Sequence, residues 1–397
     1  MEKTKNRSLF QIPNPSHKSN WNLIVFVFLF GTAIAAYWSI MNNTLAGDDY
    51  AEINRLYWIS PTELWRLFEV NVPSFMRPIA FFMYWFQFKL FGLEGWFSHL
   101  INVSFHAGSA FLCFWFMSRL GIARITSFFT ALLFLLTPLS PEAVSWSDGR
   151  FDVLTLFFVL LTVGLYTTYI QNQSRAAYVG ALLAAAAAFL SKESAIMLLF
   201  LLPIFDLLFA TLPGDKPFVK TIFNKAFLKE SLLRLLPFFF LLIGLFALRY
   251  AVLGGIGGYG QVKVFGLPQI KPPLRTILTL LSPLDYLQSS EMSISILRYF
   301  TGVLYAVSLG LVLFRWKKAS AVSRRLCLFF IAFFFLFVIP TYSFFFIIGM
   351  DNCLINSRFY YVPNLAFIAL LVLGLYEFGW KSSAWKIIVT TMLIILV

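Results

Sequence analysis

The chain has 397 residues, of which 59% are hydrophobic and only 12% are charged, with Phe alone at 48 positions. A soluble domain carries roughly 25% charged residues, so a water-exposed globule is excluded; the apolar residues fall in blocks of about 18 or more, the length that crosses ~30 Å of hydrocarbon. The net charge of +13 sits in short loops between these blocks, which is the positive-inside pattern of a membrane protein and leaves no basic stripe for nucleic acid.

Cys113 and Cys327 lie inside apolar blocks and Cys353 in a loop, without metal-ligand spacing, so no disulfide framework is implied. The first apolar block, near Trp21 to Met41, is long enough to remain as an anchor rather than a cleaved signal. Lys3, Lys5, Arg7 and Lys18 precede it and place the N-terminus in the cytoplasm. Span 1 (about 22–41) then delivers residues 42–97, a large first outer loop, to the far side. Within that loop Pro78 to Phe91 is apolar but only 14 residues long and carries Gln87 and Lys89. It reads as an interfacial helix, partnered by the amphipathic Pro61–Val70 stretch.

Spans 2, 3 and 4 are expected at about 98–118, 125–140 and 151–170, and spans 5 and 6 at about 176–190 and 194–211. Span 7 (about 236–253) follows a basic loop with Lys216, Lys220, Lys225, Lys229 and Arg234, and leads to a long outer segment, 254–296. Spans 8, 9 and 10 are expected at about 297–314, 326–349 and 359–379, about ten in all. With Pro78–Phe91 kept out of the membrane core, every basic-rich loop lands on one side. Residues 387–397 begin a further apolar run of about half a span, which reads as a span cut short. The fold class is therefore an all-α polytopic membrane protein, with residues 1–397 as a single transmembrane domain.

Five polar clusters then fall on the outer face. Asp48 and Asp49 follow span 1, and adjacent carboxylates beside a membrane are costly unless they bind a cation, pair with Arg or act as a base. Arg77-Pro78 puts a guanidinium at the start of the interfacial helix, where it can hold a phosphate in bidentate fashion. Glu142, Asp148, Arg150 and Asp152 crowd the lip between spans 3 and 4, Lys192 and Glu193 form the tip between spans 5 and 6, and Arg358 opens span 10 beside aromatics. His99 and His106 are seven apart on one face of span 2, without a third metal ligand spaced with them.

The ordered set Asp48-Asp49, Met76-Arg77-Pro78, Phe97-Ser98-His99 through His106, Pro141-Glu142 with Gly149-Arg150-Phe151-Asp152, Lys192-Glu193 and Arg358-Phe359-Tyr360-Tyr361 resembles the membrane glycosyltransferases of the C superfamily (GT-C). The likeness is greatest to the protein O-mannosyltransferases, the transmembrane tetratricopeptide-repeat O-mannosyltransferases and their bacterial relatives. It departs from them at Thr137-Pro138, where a His-Pro pair is common. The resemblance implies a GT-C-like helix bundle and transfer of a sugar from a polyprenyl-phosphate donor (dolichyl or undecaprenyl) to a protein, lipid or glycan hydroxyl on the extracytoplasmic face.

It further implies Asp48 as base with Asp49 the close second, Asp152 as the second acidic position and Glu142 as a further acid. Arg77, Arg150, Lys192 and Arg358 are then the groups that balance the donor phosphate. A divalent cation, magnesium or manganese, serves some branches; Asp48 and Asp49 are its candidate ligands here, and no ligand set in the sequence decides it. Without tetratricopeptide repeats or an organelle signal in the sequence, the expected location is the bacterial inner membrane. The alternatives in other classes are a flippase or transporter of a lipid-linked glycan and a non-catalytic scaffold of a glycan-assembly complex.

Overall fold

The computed structural model describes residues 19–69, 75–209, 224–254, 292–341 and 358–396. Among them the secondary structure is entirely helical. In chain order the α-helices are α1 (Ser19–Ala36), α2 (Asp49–Leu56), α3 (Pro78–Phe91), α4 (Gly95–Arg119), α5 (Arg124–Leu136), α6 (Pro141–Ser145) and α7 (Arg150–Asn172). They continue as α8 (Arg175–Phe189), α9 (Leu198–Phe209), α10 (Lys225–Leu253), α11 (Met292–Arg315), α12 (Ala321–Val338), α13 (Tyr361–Tyr376) and α14 (Ser383–Leu396).

Each of the ten expected spans overlaps a helix, the ends of the sixth and ninth (210–211 and 342–349) lying outside the described residues, and the chain is an all-α polytopic membrane protein. Among the described residues six segments are long and apolar enough to cross a bilayer: Gly95–Arg119, Ser147–Asn172, Lys225–Leu253, Tyr299–Lys318, Ala321–Val338 and Arg358–Tyr376. The apolar helices at α1, α5, α8 and α14 are shorter, and α9 has 12 residues. The buried centre runs through α4, α7 and α13, whereas α10 and α11 leave most of their length uncovered by protein. Lys216, Lys220, the N-terminal basic residues, most of the 254–296 segment and residues 351–357 lie outside the described residues.

One boundary is corrected. Helix α10 begins at Lys225, not near 236, so Lys225, Lys229 and Arg234 lie inside it rather than in a loop. Asn224 caps it, its side chain accepting from the N–H groups of Ala226 and Phe227 at 3.0 and 3.1 Å, which satisfies orphan donors of the first turn. Ser231 and Arg234 then donate to Asp206 of α9 at 2.5 and 3.2 Å, and Tyr166 of α7 donates to the same carboxylate at 2.9 Å. Arg234 is thus used against a neighbouring helix, while Lys225 and Lys229 stay exposed on the first turns.

Between α1 and α4 the chain forms α2, a 3-10 segment Pro61–Phe68 and α3, which build a second hydrophobic core with Phe151 and Leu154 of α7. Helix α3 has the expected bounds, with Pro78 at its first position and Gly92 at its end with φ +64°. Proline is preorganised for a first turn, and glycine alone reaches this positive-φ stop without a Cβ penalty. Its Phe81, Tyr84, Gln87 and Phe88 are buried, and Trp85 donates to the Ile59 carbonyl at 2.9 Å, so the helix is packed into the protein along one face while Phe82 and Phe86 stay exposed.

Candidate active site

Every sequence-predicted site residue is described, and side-chain contacts gather most of them at one end of the bundle. The loop after α1 turns through Gly47, and Trp146 donates its indole N–H to the Ala46 carbonyl at 3.2 Å. That bond ties the first loop to the 137–152 segment 100 residues later. Asp48 and Asp49 then part company. Asp48 is exposed, whereas Asp49 is 1% exposed. Asp49 Oδ2 accepts from the Ala46 N–H at 3.0 Å, and Oδ1 is buried without a partner. Burial raises its pKa to about 6; the Ala46 N–H opposes the shift and Asp148 adds to it. One turn on, Glu52 is pushed up to about 7, again by burial, against the pull of its ion-pair partner Arg55.

Arg77 enters from the residue before α3 and donates through Nη2 and Nε to Glu193 Oε2 at 2.8 and 3.2 Å. Arg249, from the last turn of α10, meets Glu193 Oε1 at 2.9 Å. Burial alone would raise the Glu193 carboxyl, but the two guanidiniums hold it down at about 2. Lys192, beside it, donates to both carboxylate oxygens of Asp152 at 2.6 and 2.7 Å. Burial lowers the Lys192 pKa and Asp152 opposes that shift. Arg358 faces Asp148 at 4.0 Å and lies 4.2 Å from the Trp146 ring centroid. The Arg358 backbone N–H donates to Glu142 at 2.8 Å, so Glu142 pins the start of the last long helix to α6.

Arg150 differs from the other basic candidates. It is fully buried, and it donates to Asn102 Oδ1 at 3.1 Å, Gln87 Oε1 at 2.8 Å and Ser98 Oγ at 2.7 Å. Its guanidinium also lies 4.1 Å from the Tyr84 ring centroid. This arginine joins α3, α4 and α7 instead of opening onto the surface beside Asp48.

The two histidines of α4 go to separate tasks: His99 Nε2 lies 3.1 Å from the Asn43 carbonyl, and His106 lies 2.8 Å from the Tyr361 hydroxyl and 3.0 Å from the Leu135 carbonyl. Among the described residues no group of three or more His, Cys, Asp or Glu is gathered as a metal site. Asp48 and Asp49 differ in exposure, and Asp49 already spends Oδ2 on a backbone N–H, so by themselves they do not complete the oxygen shell of a magnesium ion.

Sequence reasoning missed Arg249 and gave Glu193 and Asp148 no individual role. The signal for Arg249 was present: a lone arginine inside the apolar run Phe246-Ala247-Leu248-Arg249-Tyr250-Ala251, where an ionisable residue needs a partner.

Residues 72–243 match the family model described as dolichyl-phosphate-mannose-protein mannosyltransferase. No curated protein and no solved structure matches the chain. The matched region holds Arg77, Glu142, Arg150, Asp152, Lys192 and Glu193. It bears out the resemblance, and with the helical membrane architecture it supports a membrane glycosyltransferase of the GT-C type.

Proposed function

We propose, from this GT-C assignment, that the chain transfers a mannosyl group from a polyprenyl-phosphate-linked mannose to an acceptor hydroxyl of a protein, lipid or glycan. The reaction takes place on the extracytoplasmic face of a bacterial inner membrane, with the N-terminus in the cytoplasm. The observation that carries the reading is the pairing of an exposed carboxylate, Asp48, with a set of basic groups brought to the same end of the bundle by the Trp146–Ala46, Arg77–Glu193 and Arg358–Asp148 contacts. The loop charges that set the sidedness are consistent with it.

Asp48 acts as the general base. It takes the proton of the acceptor hydroxyl as the oxygen attacks the anomeric carbon; a C–O bond forms there, and the bond to the phosphate oxygen breaks from the opposite side, with inversion. The lipid phosphate leaves with the electron pair, and the proton remains on Asp48 until it passes to water. Because phosphate is already a good leaving group, the protein has only to stabilise the charge that develops on it, a task for fixed guanidinium and ammonium donors. Asp49 backs the loop from below, and its Oδ2 bond to the Ala46 N–H fixes the turn that presents Asp48.

The test is transfer of radiolabelled mannose from its polyprenyl phosphate in membranes carrying the wild type or Asp48→Asn. Asp48 is exposed, so the variant is expected to insert and fold normally while losing on the order of 10²–10⁴-fold in rate. A variant with wild-type transfer would remove Asp48 from the role of base.

A further inference from the structure

Two arginines from distant parts of the chain meet on one carboxylate. Arg77 precedes α3 and Arg249 ends α10, yet both bind Glu193, at 2.8 and 2.9 Å. Arg77 and Arg249 are 5% and 7% exposed, while the Glu193 side chain is 33% exposed. Burying a guanidinium costs several kcal/mol that a well-placed carboxylate at best returns. One arginine suffices for an ion pair, and bringing a second buried cation to the same carboxylate adds repulsion that stability alone does not require.

The surroundings indicate what the pair is for. The adjacent Lys192 is bound to both oxygens of Asp152, so its charge is matched locally. On α10, Leu242, Ile243, Phe246, Ala247 and Tyr250 line an apolar slot of about 430 Å³. Arg249 does not line that slot, but it continues the helical spacing of Leu242 and Phe246 along its edge. A singly charged phosphodiester on an apolar chain has the chemistry of both features, since a planar guanidinium matches phosphate oxygens in bidentate fashion.

We infer that Glu193 is a positioning residue, which gathers Arg77 and Arg249 into a two-guanidinium receptor for the phosphodiester of the lipid-linked donor. The inference rests on the donor assignment proposed above. Glu193 does not touch the donor's reacting atoms; it holds two like charges against its two carboxylate oxygens, and without its charge they move apart.

The purified full chain in detergent tests this through donor KM and kcat, together with direct binding of polyprenyl phosphate lacking the sugar. Arg249→Gln is expected to raise donor KM about tenfold or more and to lower kcat by a smaller factor, since Arg77 remains to meet the charge that develops on the phosphate. Arg249→Lys should recover part of that loss. Glu193→Gln should raise KM as well, and the double variant should be little worse than Arg249→Gln alone, because both substitutions act on one unit.

An unchanged KM in Arg249→Gln, or full additivity of the two substitutions, overturns the inference; should Arg249→Gln not fold, Arg249→Lys decides on the same readout. Phosphatidylglycerol carries the same head-and-tail chemistry, and competition from it as strong as that from polyprenyl phosphate would also overturn it. If the wild type binds polyprenyl phosphate, loses that binding in Arg249→Gln and yet moves no mannose, the mannosyl-donor assignment fails while the role of Glu193 stands.

Discussion

Lys192 Nζ lies 2.6 and 2.7 Å from the two carboxylate oxygens of Asp152, so the turn after α8 is locked to the first turn of α7. Both residues are less than a tenth exposed. Removing one partner leaves a buried charge without compensation, which costs about 3–5 kcal/mol. Asp152→Asn and Lys192→Met should therefore each lower the melting temperature in detergent substantially, and the double variant should recover much of the loss. Activity should not recover with it, because the double variant lacks a cation beside the donor site. A double variant as unstable as the sum of the two singles would show that the pair is not coupled.

The carboxyls of α2 give the fold a pH dependence of definite sign. Burial lifts Asp49 to about 6 and Glu52 to about 7. A carboxyl raised in the folded state binds its proton more tightly there, so its contribution is full below the ordinary carboxylate range and is lost as pH rises toward 7. Glu193, held at about 2 by Arg77 and Arg249, works oppositely, its contribution being present above about pH 4.5 and lost as pH falls toward 2. Melting temperatures across this range should show Asp49→Asn and Glu52→Gln each flattening the decline between about pH 4.5 and 7. Glu193→Gln should flatten only the acid side. A wild-type slope in Asp49→Asn would contradict the burial of that side chain.

Arg150 should behave as a tie and not as a donor ligand. Replacing it with Met leaves Gln87, Asn102 and Ser98 with acceptors that lose their buried donor, at roughly 1–3 kcal/mol for each one left unsatisfied. The expected result is a large drop in melting temperature and in yield, with donor KM in the surviving protein within about threefold of wild type. A selective rise in donor KM with unchanged stability would return Arg150 to the phosphate.

These outcomes bear on what the sequence could reveal. The span positions and the bounds of α3 were legible because their causes are local: blocks of apolar residues, Pro78 at a helix start and Gly92 at its stop. The start of α10 was not, because Lys225, Lys229 and Arg234 look like loop charge until Asp206 of another helix is seen to take Ser231 and Arg234. The charged residues that the fold gathers at one end of the bundle were visible in the sequence, but their pairing was not. Arg77 and Glu193 are 116 positions apart, and they meet where the Ile79 N–H of α3 donates to the Leu190 carbonyl after α8 at 3.3 Å. Nor does a motif tell an arginine that faces into the protein, Arg150, from one at a span mouth, Arg358.

The last prediction concerns how Asp148 is held. The 3-10 turn Ser147–Gly149 carries it, with Ser147 hydrogen-bonded to Ser98 and the Trp146 carbonyl accepting from Asn102 at 2.9 Å. Gly149 lies so close to α6 that a Cβ there would run into the backbone carbonyl of Ala143. Backbone cannot rotate away as a flexible side chain could, so Gly149→Ala must push the turn off α6 and move Asp148 relative to Arg358. At Gly92 the problem differs: a Cβ would meet nothing within 4 Å, and the cost lies in the backbone, whose φ +64° and ψ −146° fall where essentially only glycine goes, roughly 1–3 kcal/mol. Gly149→Ala should therefore lose most of its mannose transfer even where folded protein is recovered, whereas Gly92→Ala should lose a little stability and keep its rate per folded molecule. Equal specific activities in the two variants would show that the close approach of Gly149 to α6 does not set the position of Asp148.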